Sequence, residues 1–105
     1  MYDFVVKQMS DDELDADKLS EYLNMSKTQL YRKVKALTGF TPHGFIKNIR
    51  LKKVAQLLKE SSLSVSEILY ETGFKNKTYF YRSFKELYGT SPMAYVKKIN
   101  NNDNK

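Results

Sequence analysis

SKTQLYRKVKALTGFTP, residues Ser26–Pro42, occurs a second time fifty residues later as NKTYFYRSFKELYGTSP, Asn76–Pro92. Lys27, Thr28, Tyr31, Arg32, Lys35, Leu37, Gly39 and Pro42 recur as Lys77, Thr78, Tyr81, Arg82, Lys85, Leu87, Gly89 and Pro92; Leu30 and Val34 become Phe80 and Phe84. An internal repeat makes one structural unit, used twice, the starting point for the fold. Each copy reads as a short helix with two unlike faces. At about 100° per residue, Leu30, Val34 and Leu37 fall inward, as do Phe80, Phe84 and Leu87. Thr28, Tyr31, Arg32 and Lys35 fall outward, as do Thr78, Tyr81, Arg82 and Lys85. Ser26 and Asn76 are suited to N-caps, and Gly39 and Gly89 to helix stops. Thr41-Pro42 and Ser91-Pro92 each open a new helix, a cap followed by proline at the first helical position. An apolar inner face recurs because both copies need a core. The outward Thr–Tyr–Arg–Lys pattern has no such need, so its recurrence points to a shared ligand.

The repeated unit extends upstream. Asp15 caps a short helix with Ala16, Leu19 and Leu23 inward, Asn24 tolerates the left-handed conformation of a tight turn, and Met25 packs behind it. In the second copy Ser64 and Glu67 form a capping box, and Val65, Ile68 and Thr72 take the inward places. Gly73 stands for Asn24 and Phe74 for Met25. Helix, tight turn, helix is the helix-turn-helix signature. Between the units, Pro42–Glu60 carries Phe45, Ile46, Ile49, Val54, Leu57 and Leu58 at helical spacing. It reads as one helix about 27 Å long, with Lys47, Arg50, Lys52, Lys53 and Lys59 left for solvent or phosphate. The fold expected is all-α, two helix-turn-helix lobes on a long linker helix, about seven helices in all. Residues 1–14 are a lead-in with a short helix around Phe4, Val5 and Met9. Residues 15–41 are the first lobe, 42–60 the linker, 61–99 the second lobe with a closing helix over Pro92–Ile99, and 100–105 a polar, disordered tail.

Charge divides the chain where the repeat begins. Residues 1–26 carry two lysines against seven acids, a net of −5; residues 27–105 carry sixteen basic residues against five acids, a net of +11. A basic surface of this size suits a polyanion, although a solvated lysine-rich face would look the same. The absence of cysteine excludes disulfides and thiolate metal sites, and a single histidine excludes a multi-histidine site; no metal and no cofactor is expected. There is no apolar run of membrane-spanning length and no signal-peptide pattern, so a soluble cytoplasmic protein is the expectation. No nucleophile–base set or Gly-rich phosphate loop points to an enzyme. An RNA binder would favour aromatics exposed on a sheet, and no strand pattern appears.

The two stretches MSKTQLYRKVKALTGFTPHGFIKNIRLKKVAQLL and SVSEILYETGFKNKTYFYRSFKELYGTSPMAYV resemble the DNA-binding domain of AraC-type transcription regulators over Asp15 to about Lys98. The carrying positions are Ile68, Gly73-Phe74, Tyr79-Phe80, Phe84-Lys85, Gly89, Ser91-Pro92 and Tyr95. The QLYRK and LTG wording of the first lobe is similar to output domains of hybrid two-component sensors. The resemblance implies that each lobe places its second helix, about Lys27–Leu37 and Lys77–Leu87, in the DNA major groove. It also implies transcription activation through RNA polymerase. Two departures stand out. The short acidic segment before Asp15 implies a truncated or poorly packed first helix, and Leu69 stands where the family has a small residue, which would open the helix crossing.

The partner expected is therefore double-stranded DNA. Arg32 and Arg82 are the leading base readers, because arginine bonds guanine O6 and N7 bidentately; the alternative for each is a phosphate clamp. Thr28, Tyr31, Lys77, Thr78 and Tyr81 are further readers. Lys27, Lys33, Lys35, Lys75 and Lys85 suit phosphates or solvent. Ser26, Asn76, Thr41 and Ser91 lie at helix starts, where free amides can hold phosphate. His43 reads as a surface residue near a helix start, and Asp11–Asp17 as a solvated linker, with contact to another domain as the alternative. Because Gln29 is replaced by Tyr79 and Lys33 by Ser83, the bipartite site should be asymmetric. No sensing, receiver or kinase region is read in the sequence; the expectation is either a stand-alone regulator or, favoured by the acidic lead-in, a fragment of a longer signal-responsive one, with sensing and dimerisation then in regions absent from this chain. The competing class is a helical protein-interaction module with a basic surface.

Overall fold

The computed structural model describes residues 1–103, and among them every regular element is a helix. In chain order they are α1 (Tyr2–Gln8), α2 (Ala16–Tyr22), α3 (Lys27–Thr38), α4 (Pro42–Glu60), α5 (Val65–Thr72), α6 (Lys77–Tyr88) and α7 (Pro92–Asp103). The cap signals act as the sequence suggests. The Asp15 carboxylate accepts from the Lys18 amide. Ser26 with Gln29, and Ser64 with Glu67, close reciprocal capping boxes, and Asn76 accepts from the Tyr79 amide. Each such cap contributes about 1 kcal/mol. Asn24 (φ 54°) makes the first left-handed turn and Gly73 (φ 79°) the second.

The 19 residues of α4 organise both lobes. Phe45, Ile46 and Ile49 lie within a sector of about 100° and join Val5, Leu19, Leu30 and Val34 in the first core. Leu51, Val54 and Ala55 lie in the opposite sector and join Ile68, Leu69, Phe80 and Phe84 in the second. The apolar stripe thus changes sides at Arg50, one core seats on each half of the helix, and the molecule is elongated, 49 × 24 × 24 Å.

Four expectations are corrected. Leu37 and Leu87 do not face the core; they are 67% and 42% exposed. Leu87 lines the notch between the lobes, beside Phe40 and Leu51. Tyr88 turns inward instead, its ring 4.6 Å from Phe84 and 5.3 Å from Tyr95 between centroids. Helix α1 is short but well packed: Val5 is fully buried and Met9 nearly so, against α4. The acidic connector is not a solvated linker, for reasons given with the site. Finally, α7 runs on to Asp103, so residues 100–103 are helical rather than tail, the backbone ladder continuing without a Gly or Pro to stop it; the remainder of the expected tail, 104–105, lies outside the described residues. Leu69, the other noted departure, is buried in the second core.

These burials give a direct contrast within α6. Phe84→Ala should lower unfolding free energy by about 3–5 kcal/mol, whereas Leu87→Ala, three residues further along the same helix but exposed, should change it by no more than about 0.5 kcal/mol. Urea denaturation of the two variants measures the difference.

Candidate nucleic-acid interface

On α3, Thr28, Tyr31, Arg32 and Lys35 are exposed along one face; on α6, Lys77, Thr78, Tyr81, Arg82 and Lys85 are exposed along the equivalent face. Each face is fixed from behind, by Leu30 and Val34 in one lobe and Phe80 and Phe84 in the other. Among the described residues, Thr28, Tyr31, Arg32 and Lys33 of α3 make no side-chain hydrogen bond or ion pair, nor do Lys77, Thr78, Tyr81, Arg82 and Lys85 of α6. Their donors point to solvent, oriented by a rigid helix.

Most of the expected phosphate contacts have local partners. The Ser26, Thr41, Asn76 and Ser91 side chains accept from the Gln29, Gly44, Tyr79 and Ala94 amides. Lys35 donates to the Gly39 carbonyl, 3.0 Å. Lys27 pairs with Asp17 at 3.1 Å, and Lys75 with Glu13 at 2.6 Å. Such exposed ion pairs contribute about 0–1 kcal/mol, and an ammonium with three donors can add a phosphate without releasing its carboxylate.

Two pairs used in the sequence argument for asymmetry do not face outward in both lobes. Ser83 is buried, so it is no counterpart to exposed Lys33. Gln29 closes the Ser26 capping box. Tyr79 is half-buried, and its hydroxyl is hydrogen-bonded to His43 Nε2 at 2.8 Å. His43 is therefore not an isolated surface residue: it joins the start of α4 to α6. No spacing signal in the sequence links residues 43 and 79.

Arg50 is another departure. It is not free for phosphate: Nε donates to the Met9 carbonyl at 3.3 Å and Nη2 to the Asp11 carbonyl at 2.9 Å. Burial pushes its pKa below the ordinary value, opposed by the carboxylates of Asp11 and Asp12; a guanidinium stays charged regardless. Asp11 is held below its ordinary value first by the Glu13 amide and then by Lys18. Lys75 is raised, chiefly by its hydrogen bond to Glu13. Among the described residues there is no metal-ligand cluster, and no helix is long and apolar enough to cross a membrane.

Two basic helices presented from helix-turn-helix lobes on one rod define a double helix-turn-helix, DNA-binding class of protein. A family model described as a helix-turn-helix domain matches residues 19–98. The chain belongs to the AraC-type family of DNA-binding, transcription-regulating domains. It is 41% identical over 75 residues, 71% of its length, to histidine kinase P4 of Formosa agariphila, of which it spans 6%. It is 42% identical over 67 residues, 64% of its length, to the HTH-type transcriptional regulator MtrA of Neisseria gonorrhoeae, of which it spans 22%. The chain thus spans less than a quarter of these relatives. Among solved structures, the DNA-binding domain of AdpA, a global transcriptional factor in complex with a target DNA, superposes with a TM-score of 0.85 at 25% identity, over 92% of this chain and 86% of that one.

The titrations carry a sign. The stabilisation from Asp11, whose pKa is lowered, is present above its ordinary value of 3.8 and is lost as pH falls through the lower folded value. That from Lys75, whose pKa is raised, is present below 10.5 and is lost as pH rises through the higher folded value. In an NMR titration, Glu13→Gln should bring the Lys75 midpoint back towards 10.5 and leave Asp11 depressed; an unmoved Lys75 would contradict the pairing.

Proposed function

We propose that this chain binds double-stranded DNA sequence-specifically as a monomer, α3 and α6 entering two successive major-groove segments. The observation that carries this reading is the doubled face: the same Thr–Tyr–Arg–Lys set, exposed on both helices. B-DNA's major groove, about 12 Å wide, admits an α-helix, and two segments on one side of the duplex are about 34 Å apart. A body 49 Å long built on a linker of about 28 Å is large enough to carry two reading helices over that interval. If the intervals differ, the duplex bends.

In this reading Arg32 and Arg82 read guanine, and Thr28, Tyr31, Lys77, Thr78 and Tyr81 read neighbouring base edges or thymine methyls. Lys27, Lys33, Lys35, Lys75 and Lys85 take phosphates, with the helix starts at Ser26, Thr41, Asn76 and Ser91. The site is asymmetric: Lys33 has no outward counterpart in the second lobe, and Leu30 and Val34 give way to bulkier Phe80 and Phe84 behind the face. No catalytic step is assigned. Family membership, and the likeness to part of a histidine kinase, support an output domain of a larger two-component regulator working in the cytoplasm. Activation through RNA polymerase and dimerisation outside this chain complete the proposal.

Selection from random duplex DNA tests it. The expected product is an asymmetric motif with two patches about one turn apart. Arg32→Ala should relax one patch and Arg82→Ala the other, each at a cost of about 1–3 kcal/mol, and log affinity should fall linearly with log salt. Uniformly weaker binding with unchanged preference would make both arginines phosphate clamps. No enrichment, with retention insensitive to salt, would favour the protein-interaction module.

A further inference from the structure

The lead-in Met9–Glu13 precedes the residues the helix-turn-helix family model covers, yet it crosses from the first lobe to the second. Met9 is buried in the first core. Its carbonyl oxygen accepts from Arg50, which also holds the Asp11 carbonyl. Two residues on, Glu13 grips Lys75, in the turn that leads into α6. Gly73 in the same turn packs directly on this strand of chain: a Cβ there would collide with the Met9 carbonyl oxygen and crowd the Arg50 guanidinium. The His43–Tyr79 bond closes the same side from the start of α4. Lead-in, linker and second turn therefore meet around one cleft of about 240 Å³, with Arg50 at its floor.

The neighbouring flank of α4, beyond Lys47, is different. There the lobes face each other across an open notch lined by Phe40, Leu51 and Leu87 together with Lys47, Ser83 and Glu86, and among the described residues no side-chain hydrogen bond or ion pair spans it. One flank of the hinge between lobes is tied and the neighbouring one is not. Rotation that opened the tied side would have to break the Glu13–Lys75 and His43–Tyr79 contacts together, or pull the lead-in away from Arg50.

We propose that the lead-in Met9–Glu13, pinned by Arg50 and hooked to Lys75, is a strap that fixes the interval between α3 and α6, and so sets the half-site spacing the protein accepts. Arg50 and Glu13 are positioning residues; neither lies on the reading faces. The proposal rests on the bipartite DNA reading given above. It makes the strap, and not the linker helix alone, the determinant of spacing. A single inserted base pair rotates one half-site by about 35° and moves it about 3.4 Å relative to the other. A strapped pair of helices cannot follow that change, whereas an unstrapped pair can turn into the open notch.

The test uses the full chain and the duplex it selects from random DNA, with one or two base pairs inserted into or removed from the centre. The wild-type chain should lose on the order of tenfold in affinity at each altered interval, the size of a forfeited half-site contact. Arg50→Met should flatten that profile to within about threefold, while binding to a duplex carrying one patch stays within about twofold. Glu13→Gln, which leaves the Arg50 contacts and both cores untouched, should broaden the profile in the same direction. It supplies the readout if Arg50→Met loses its helical circular dichroism. Variants that fold and keep the wild-type profile would overturn the strap while leaving bipartite binding in place. A wild-type chain indifferent to the interval would overturn the bipartite reading and the strap with it.

Discussion

Everything in this molecule hangs on one helix whose apolar stripe changes sides. Phe45, Ile46 and Ile49 bury into one core and Leu51, Val54 and Ala55 into another, on opposite faces of α4. The changeover falls between Ile49 and Leu51. The residue there is Arg50. Its guanidinium is half-buried between the lobes, and its charge is met by two backbone carbonyls and by the carboxylates beside them. A charge taken out of water is costly unless it is hydrogen-bonded, so the lead-in that supplies those carbonyls is part of the fold and not an appendage to it.

Much of the architecture was legible in the sequence because local chemistry and global fold agree there. The bounds of α4 follow from Thr41-Pro42 at one end and the Ser61–Ser64 run at the other. The repeated caps, the left-handed residues Asn24 and Gly73, and the inward Leu30, Val34, Phe80 and Phe84 were all written in periodicity. Leu37 and Leu87 misled because periodicity gives a direction and not a depth: they share the angular sector of the core residues but remain exposed. The overrun of α7 past Ile99 is a boundary effect of the same kind, with no stop signal to mark it. The contacts of His43 with Tyr79, Arg50 with Met9 and Asp11, and Glu13 with Lys75 join residues 36 to 62 positions apart. No local pattern encodes such pairs. What the sequence did show was the charge imbalance that makes an acidic lead-in find a basic lobe.

The reading faces and their surroundings divide the labour in physical terms. The residues proposed to meet bases have no partners inside the protein and sit on helices held rigidly from behind, so little is broken when they bind. The lysines proposed to meet phosphates, Lys27 and Lys75, already hold carboxylates in exposed pairs. Each ammonium has three donors, so a phosphate can be added beside the carboxylate without releasing it. The same acids weaken nonspecific attraction near the turns, where a lysine-rich surface would otherwise hold any polyanion. In the proposed reading, sequence discrimination then falls to the doubled Thr–Tyr–Arg–Lys face.

The central claim is that one chain spans two successive major-groove segments. Hydroxyl-radical footprinting of a selected duplex, with stoichiometry measured on the same complex by analytical ultracentrifugation, tests it most directly. One protein per duplex, with two protected patches on one side of the DNA about 10 base pairs apart, is the predicted result. A single protected patch at that stoichiometry, or two patches seen only when two chains are bound, would contradict it.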